Sequence, residues 1–234
     1  MFFFHDTSLG WAVGHDQVIL RTRDGGKNWQ QVFSAPEEET PLLDVWFADA
    51  EQGYAIGAYG LFLETTDGGD SWTPRWISED DFHLNKMFLS GQSLYIAAEA
   101  GLVYRSDDLG VNWTEMITPY EGSFFGGLAL DGAQLMIFGL RGNLFYSDDS
   151  GENWTQVESH TESSLTSGVR LKNGNLVVAG LAGTLLISRD EGHSFSPVQQ
   201  ESRQGVSALL QAIDGSVIAV GEFGVKGLPS SMLN

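Results

Sequence analysis

The sequence predicts an all-β protein, a β-propeller of four-stranded antiparallel blades. Three observations carry that expectation. An eight-residue turn motif recurs five times at a near-constant period, short apolar runs repeat in register around it, and no segment reads as a helix.

The motif comes first. It reads Thr22-Arg23-Asp24-Gly25-Gly26-Lys27-Asn28-Trp29, then Thr65-Thr66-Asp67-Gly68-Gly69-Asp70-Ser71-Trp72. The third and fourth copies are Ser106-Asp107-Asp108-Leu109-Gly110-Val111-Asn112-Trp113 and Ser147-Asp148-Asp149-Ser150-Gly151-Glu152-Asn153-Trp154. The fifth is Ser188-Arg189-Asp190-Glu191-Gly192-His193-Ser194-Phe195. The closing aromatics fall at 29, 72, 113, 154 and 195, steps of 43, 41, 41 and 41. This pattern is the Asp-box, or BNR repeat, and five copies in phase make it specific. Its carboxylate suits backbone N–H groups of its own turn, its glycine permits a positive φ, and its aromatic anchors the turn between neighbouring sheets. Asp24, Asp67, Asp108, Asp149 and Asp190, with Trp29, Trp72, Trp113, Trp154 and Phe195, are therefore assigned to the fold. They are not assigned to catalysis.

The strands follow in order. Apolar runs such as Trp11-Ala12-Val13, Tyr54-Ala55-Ile56, Val177-Val178-Ala179 and Ile218-Ala219-Val220 end at a glycine or small residue. A second run follows each turn, as in Leu61-Phe62-Leu63 and Leu144-Phe145-Tyr146. With an inner strand before them and an outer strand after the box, each unit holds strands A to D, the arithmetic of a propeller blade. A single domain over 1–234 is expected, with repeats at about 1–35, 41–77, 84–118, 123–158, 164–199 and 204–228. Met1 falls inside strand A of the first repeat, and the last repeat lacks its outer strand. Two alternatives follow: six blades with a weak seam, or part of a longer, seven-bladed protein truncated at its start.

Charge narrows the functions. There are 31 acidic and 12 basic side chains and a net charge of -19, which argues against nucleic acid and anionic membrane surfaces as partners. With no cysteine, disulfides and thiolate metal sites are excluded. No apolar run has the length of a membrane span, so no direct membrane insertion is expected. Residues 1–6 have no basic n-region and do not read as a signal peptide.

The variant Asp-Gly-Gly-x-Asn/Ser-Trp, with Gly10-Trp11-Ala12-Val13-Gly14 and Gly53-Tyr54-Ala55-Ile56-Gly57, resembles the photosystem II stability/assembly factor-like propellers. The resemblance spans nearly the whole chain and is of the kind shown by bacterial relatives. It implies an exported, non-enzymatic assembly factor or scaffold, periplasmic or extracellular, that holds a membrane or exported protein. The chain is expected to be a monomer and to need no cofactor. It departs from the photosynthetic pattern of an arginine-rich surface: its eight arginines do not share one repeated position.

Strand order sorts the loops onto two faces. B–C turns and D–A connectors share one; A–B turns and Asp-boxes share the other. Candidate binding residues on the first face are Asp16, Tyr59, Glu79, Asp80, Asp81, Phe82, Glu99, Tyr120, Arg141, Glu222 and Phe223. That face carries many acids against Arg141 and Arg203, the pattern of a negative platform for a basic protein partner. Tyr59, Phe82, Tyr120 and Phe223 would serve as anchors. Charged loops are equally what solvation produces, and the opposite face is acidic too.

Asp80, Asp81 and His83 do not supply the six to eight oxygen ligands of calcium, so no metal site is expected. The five histidines show no paired spacing. The alternative function is a sialidase-like glycoside hydrolase, since Asp-box propellers include such enzymes. It would need an arginine cluster and a Tyr–Glu pair or two spaced carboxylates. Only Arg141, Arg203 and Arg170 are candidates for the cluster, and Tyr120-Glu121 are merely adjacent in sequence.

Overall fold

A computed structural model of the chain describes residues 1–229. The expected domain, 1–234, runs five residues past them. Among the described residues the fold is all-β, with six antiparallel sheets following one another as the blades of a β-propeller. The first blade is β1 (Phe2–Phe4), β2 (Gly10–Val13), β3 (Ile19–Thr22) and β4 (Gln30–Phe33). The second is β5 (Leu42–Phe47), β6 (Gly53–Gly57), β7 (Phe62–Thr65) and β8 (Thr73–Pro74). The third is β9 (Leu84–Ser90), β10 (Ser93–Ala98), β11 (Val103–Ser106) and β12 (Thr114–Met116). The fourth is β13 (Phe124–Ala129), β14 (Leu135–Gly139), β15 (Leu144–Ser147) and β16 (Thr155–Gln156). The fifth is β17 (Leu165–Arg170), β18 (Leu176–Gly180), β19 (Thr184–Ser188) and β20 (Ser196–Gln199). The sixth has three strands, β21 (Val206–Gln211), β22 (Val217–Gly221) and β23 (Gly224–Leu228). The only helical turns among the described residues are short 3-10 turns at His15–Gln17, Pro36–Glu38, Leu140–Gly142 and Leu181–Gly183.

The chain packs as two compact units. One holds Met1–Phe88, Gln92–Glu99 and Tyr104–Glu115; the other holds Leu89–Gly91, Ala100–Val103 and the described residues from Met116 on. In the first unit Trp11 stacks on Phe47 of the next blade, ring centroids 3.4 Å apart, within a core that includes Ile19, Val45, Leu63 and Trp72. In the second, Met136, Phe138, Leu176, Leu186 and Phe195 form one cluster, and Val177, Leu185, Val206 and Ala219 form another. The strands β6 and β18 are buried along their whole length, because each carries apolar side chains on both sheet faces.

The Asp-box turns repeat one hydrogen-bond scheme. In the second box Thr65 Oγ1 donates to Asp67 Oδ1 at 2.8 Å and accepts the Gly69 N–H at 2.9 Å. Asp67 Oδ1 also accepts the Ser71 N–H at 2.9 Å, and Oδ2 the Ser71 hydroxyl at 2.6 Å. Asp24, Asp108, Asp149 and Asp190 make the corresponding bonds to Asn28, Asn112, Asn153 and Ser194. These donors favour the ionised form, and all five carboxyls are held below the ordinary range, Asp67 and Asp108 at about 2.

The box glycine has a second duty. A Cβ on Gly110 would sit 2.3 Å from the Tyr54 ring, and one on Gly192 would sit 2.6 Å from Met136 Sδ. The backbone thus packs directly on the preceding blade, where any side chain collides. The box aromatics differ in cover. Trp72 is 8% exposed, whereas Trp29 is 37% exposed and meets Phe4 of its own sheet. Trp72 packs into a core shared with the blade before it in sequence, and Trp29 belongs to the first blade. The general expectation of a box aromatic buried between sheets does not extend to Trp29.

Candidate binding face at the hairpin tips

The B–C turns are a repeated device. In five blades two successive residues take positive φ: Asp16 and Gln17 (56 and 51), Tyr59 and Gly60 (56 and 70), Ala100 and Gly101 (57 and 76), Arg141 and Gly142 (56 and 73), Ala182 and Gly183 (52 and 70). Such two-residue turns match the right-handed twist of the strands they join. In four blades the second position is a glycine with backbone against it, whereas the first blade carries Gln17 there. Gly101 donates its N–H to the Gly122 carbonyl at 2.7 Å, and a Cβ there would lie 1.8 Å from the Tyr120 oxygen. The first position faces outward and can vary. Its occupants are Asp16, Tyr59, Ala100, Arg141 and Ala182. In the sixth blade the turn is Glu222-Phe223, between the paired Gly221 and Gly224.

The hydrogen bonds also show which loops lie together. The Gln17 N–H reaches the Thr40 carbonyl, Gly60 reaches Phe82, and the Gln200 N–H reaches Gly183. Each of these joins a B–C turn to a D–A connector. At the other edge the N–H groups of Gly25, Gly68 and Ser150, in the boxes, reach the carbonyls of Ser8, Glu51 and Ala133 in the A–B turns.

Within the first unit the structure brings Tyr59 and Glu99 to His83, a residue singled out in the sequence only as a rejected metal ligand; its chain neighbour Phe82, expected as an exposed anchor, is half-buried. The Tyr59 ring lies 5.0 Å from the imidazole, and His83 Nδ1 lies 2.7 Å from Glu99 Oε2. The same oxygen accepts the His83 backbone N–H at 3.2 Å. Glu99 is held below its ordinary pKa, first by that backbone bond. Asp80 accepts from the Ser78 hydroxyl, while Glu79 and Asp81 are exposed beside it. Asp16 is exposed at its own tip.

Other candidates turn inward. Tyr120 is half-buried: its hydroxyl donates to the Leu140 carbonyl at 3.2 Å and its ring packs on Phe124 and Phe145. It secures a connector to the adjacent B–C turn, which corrects its expected use as an exposed anchor. Phe223 is also half-buried, with the Lys226 ammonium 4.7 Å from its ring centroid. Glu222 accepts the Gly205 N–H at 2.9 Å.

Arg141 is exposed and lines an open, polar hollow of about 600 Å³ with Asn143, Gln156, Glu158, His160 and Glu162. Arg170 is not near it. It forms an ion pair with Asp131 at the A–B turn edge, so the three arginines considered for a sialidase-like cluster do not assemble. Among the described residues no three His, Asp or Glu side chains are placed to hold a metal ion. Among them, too, no helix is long and apolar enough to cross a membrane.

One residue was missed altogether. Trp76 is 76% exposed and shares a cleft with Tyr59, which is 64% exposed. Its position four residues past the box aromatic, after a strand-ending proline, was the available signal.

The family model described as Photosynthesis system II assembly factor YCF48 matches residues 32–179. The chain belongs to that family. The match spans the tips Tyr59, Ala100 and Arg141. A solved YCF48 bound to a D1 peptide is 21% identical, with a TM-score of 0.65 over 81% of this chain and 63% of that one. YCF48 from Cyanidioschyzon merolae is 21% identical, with a TM-score of 0.61 over 81% and 66%. The chain therefore spans somewhat under two thirds of the length of the YCF48 structures it matches. The WD40 β-propeller domain of Doa1, 12% identical, matches over 100% of this chain and 94% of its own with a TM-score of 0.64. At these identities the structural likeness shows the fold. No curated protein matches the chain in sequence.

Proposed function

We propose that the chain is a non-enzymatic, protein-binding assembly factor that holds a segment of an envelope or membrane protein on the face of its B–C turns and D–A connectors. The carrying observation is the contrast between turn positions. The backbone of the tip hairpin is repeated in five blades, while its first turn residue changes from Asp16 to Tyr59, Ala100, Arg141 and Ala182. A scaffold that repeats its geometry and varies its tips is suited to a varied, extended surface. Family membership supports the same role, as does the D1 peptide held by a YCF48 relative.

Hydrolysis finds little support. A glycosidase acid needs a raised pKa, but the carboxyls whose pKa this structure moves, Glu99 and the box aspartates among them, are lowered.

A photo-crosslinking amino acid at Tyr59 or Arg141, compared with one at Asp148 on the box edge, tests the proposal. Partner adducts are expected from the first pair only, along with no turnover of a glycoside panel. Equal labelling from both edges, or glycoside turnover abolished by a carboxylate variant, would overturn it.

A further inference from the structure

The cleft beside Tyr59 has chemistry of its own. It measures about 170 Å³, smaller than the roughly 300–1,000 Å³ of a small-molecule site, and so is sized for a single side chain. Tyr59 and Trp76 line it, each with most of its surface in solvent. Glu38 lies in the same lining, at the end of the turn Pro36–Glu38, with Glu37 before it and Glu39 just past the turn. The lining cation, Arg75, is already committed. It donates to the carbonyls of Gly110 and Val111, lies 3.5 Å from Glu64, and covers the Phe62 ring.

Aromatic faces attract cations, tryptophan most strongly, and a carboxylate beside them adds direct attraction. An anion would meet Glu38 and a chain of net charge -19. We propose that this cleft receives a cationic side chain, arginine ahead of lysine, from an extended basic segment of a protein partner. The proposal rests on the scaffold function above and gives its partner a chemistry. Tyr59 and Trp76 supply the ring faces, and Glu38 supplies the charge.

The test uses the whole chain and a labelled Gly/Ser-rich peptide carrying three arginines, read by fluorescence anisotropy. Its twin, with citrulline for arginine, keeps the shape and removes the charge; a cation-free proline-rich peptide probes simple aromatic docking. The arginine peptide is expected to bind at least tenfold more tightly than either control. Tyr59→Ala and Trp76→Ala should each weaken it at least fivefold, and Glu38→Gln about threefold. Tyr59→Phe, which retains the ring face, should stay within twofold, as should Asp148→Asn at the box edge of the other unit, and Trp76→Phe should keep more binding than Trp76→Ala. Unchanged binding by both alanine variants would assign the affinity to diffuse surface charge and overturn the site. Equal binding of the citrulline or proline-rich peptide would overturn the cationic ligand. Either failure, with face-specific crosslinks still formed at Arg141, leaves the scaffold reading standing; loss of those crosslinks removes that reading whatever the peptide does.

Discussion

The Asp44 carboxylate, only 1% exposed, holds Lys86 of the next blade at 2.9 Å and accepts the Met87 backbone N–H at 2.8 Å. The pair ties β5 to β9, and Ser167 makes a similar tie in the other unit by accepting the Leu209 N–H at 2.9 Å. Truncating Asp44 would leave a partly buried ammonium and a buried N–H without their acceptor. Asp44→Ala should cost about 3 kcal/mol, measured as a lower urea midpoint. Lys86→Met leaves that nearly buried carboxylate without its counter-charge, so it should cost a comparable amount even though the Met87 bond survives. An unchanged midpoint in Lys86→Met would show that the backbone bond alone ties the blades.

The Asp-box carboxylates make stability depend on pH. Asp67 and Asp108 fall from an ordinary 3.8 to about 2 in the folded chain. A lowered folded pKa means that stability is fully present above about pH 4 and is lost as pH falls through about 2. Urea melts across that window should show the loss, and Asp67→Asn should flatten the acid limb. An acid limb identical in the variant would show that the box carboxylates do not drive it.

Glycines separate φ strain from collision. Gly110 has φ +101 and the Tyr54 ring against it, whereas Gly91 has φ +61 and open space. Gly91→Ala should cost about 1 kcal/mol, the left-handed penalty alone. Gly110→Ala should cost about 3 kcal/mol or more, because overpacking is added. Thermal melts of the two variants decide it, and comparable losses would show that the box turn can shift off Tyr54.

The box tryptophans should also differ. Trp72→Ala should lose roughly 3–5 kcal/mol. Trp29→Ala should lose about two thirds of that, in proportion to its smaller buried area. The Trp72 indole N–H is buried with no hydrogen-bond partner among the described residues, so Trp72→Phe should lose only what the smaller ring costs in packing, about 1–2 kcal/mol. A loss as large as that of the alanine variant would show that the indole contributes more than packing.

What could be read directly was local. The box scheme closes within eight residues: Thr65, Asp67, Gly69 and Ser71 contain both donors and acceptors, so composition and spacing suffice to specify the turn. The six repeats, their strand order and the assignment of loops to faces followed from repeating that unit, while the choice between six blades and part of a seven-bladed ring did not. The family resemblance rested on the same local residues.

The candidate site was legible only in part. The tips Asp16, Tyr59 and Arg141 were placed by strand order alone. Whether a side chain at such a place points outward depended on partners far along the chain. Tyr120 turns in because the Leu140 carbonyl and the Phe145 ring are there to receive it. Trp76 stays out, and His83 gathers Tyr59 and Glu99 from two other loops. The sequence by itself therefore determined the repeating blade and the chemistry of its turns, which short-range bonds specify. Only the tertiary structure decided which loop residues meet, because those contacts join separate loops and depend on how closely neighbouring sheets pack.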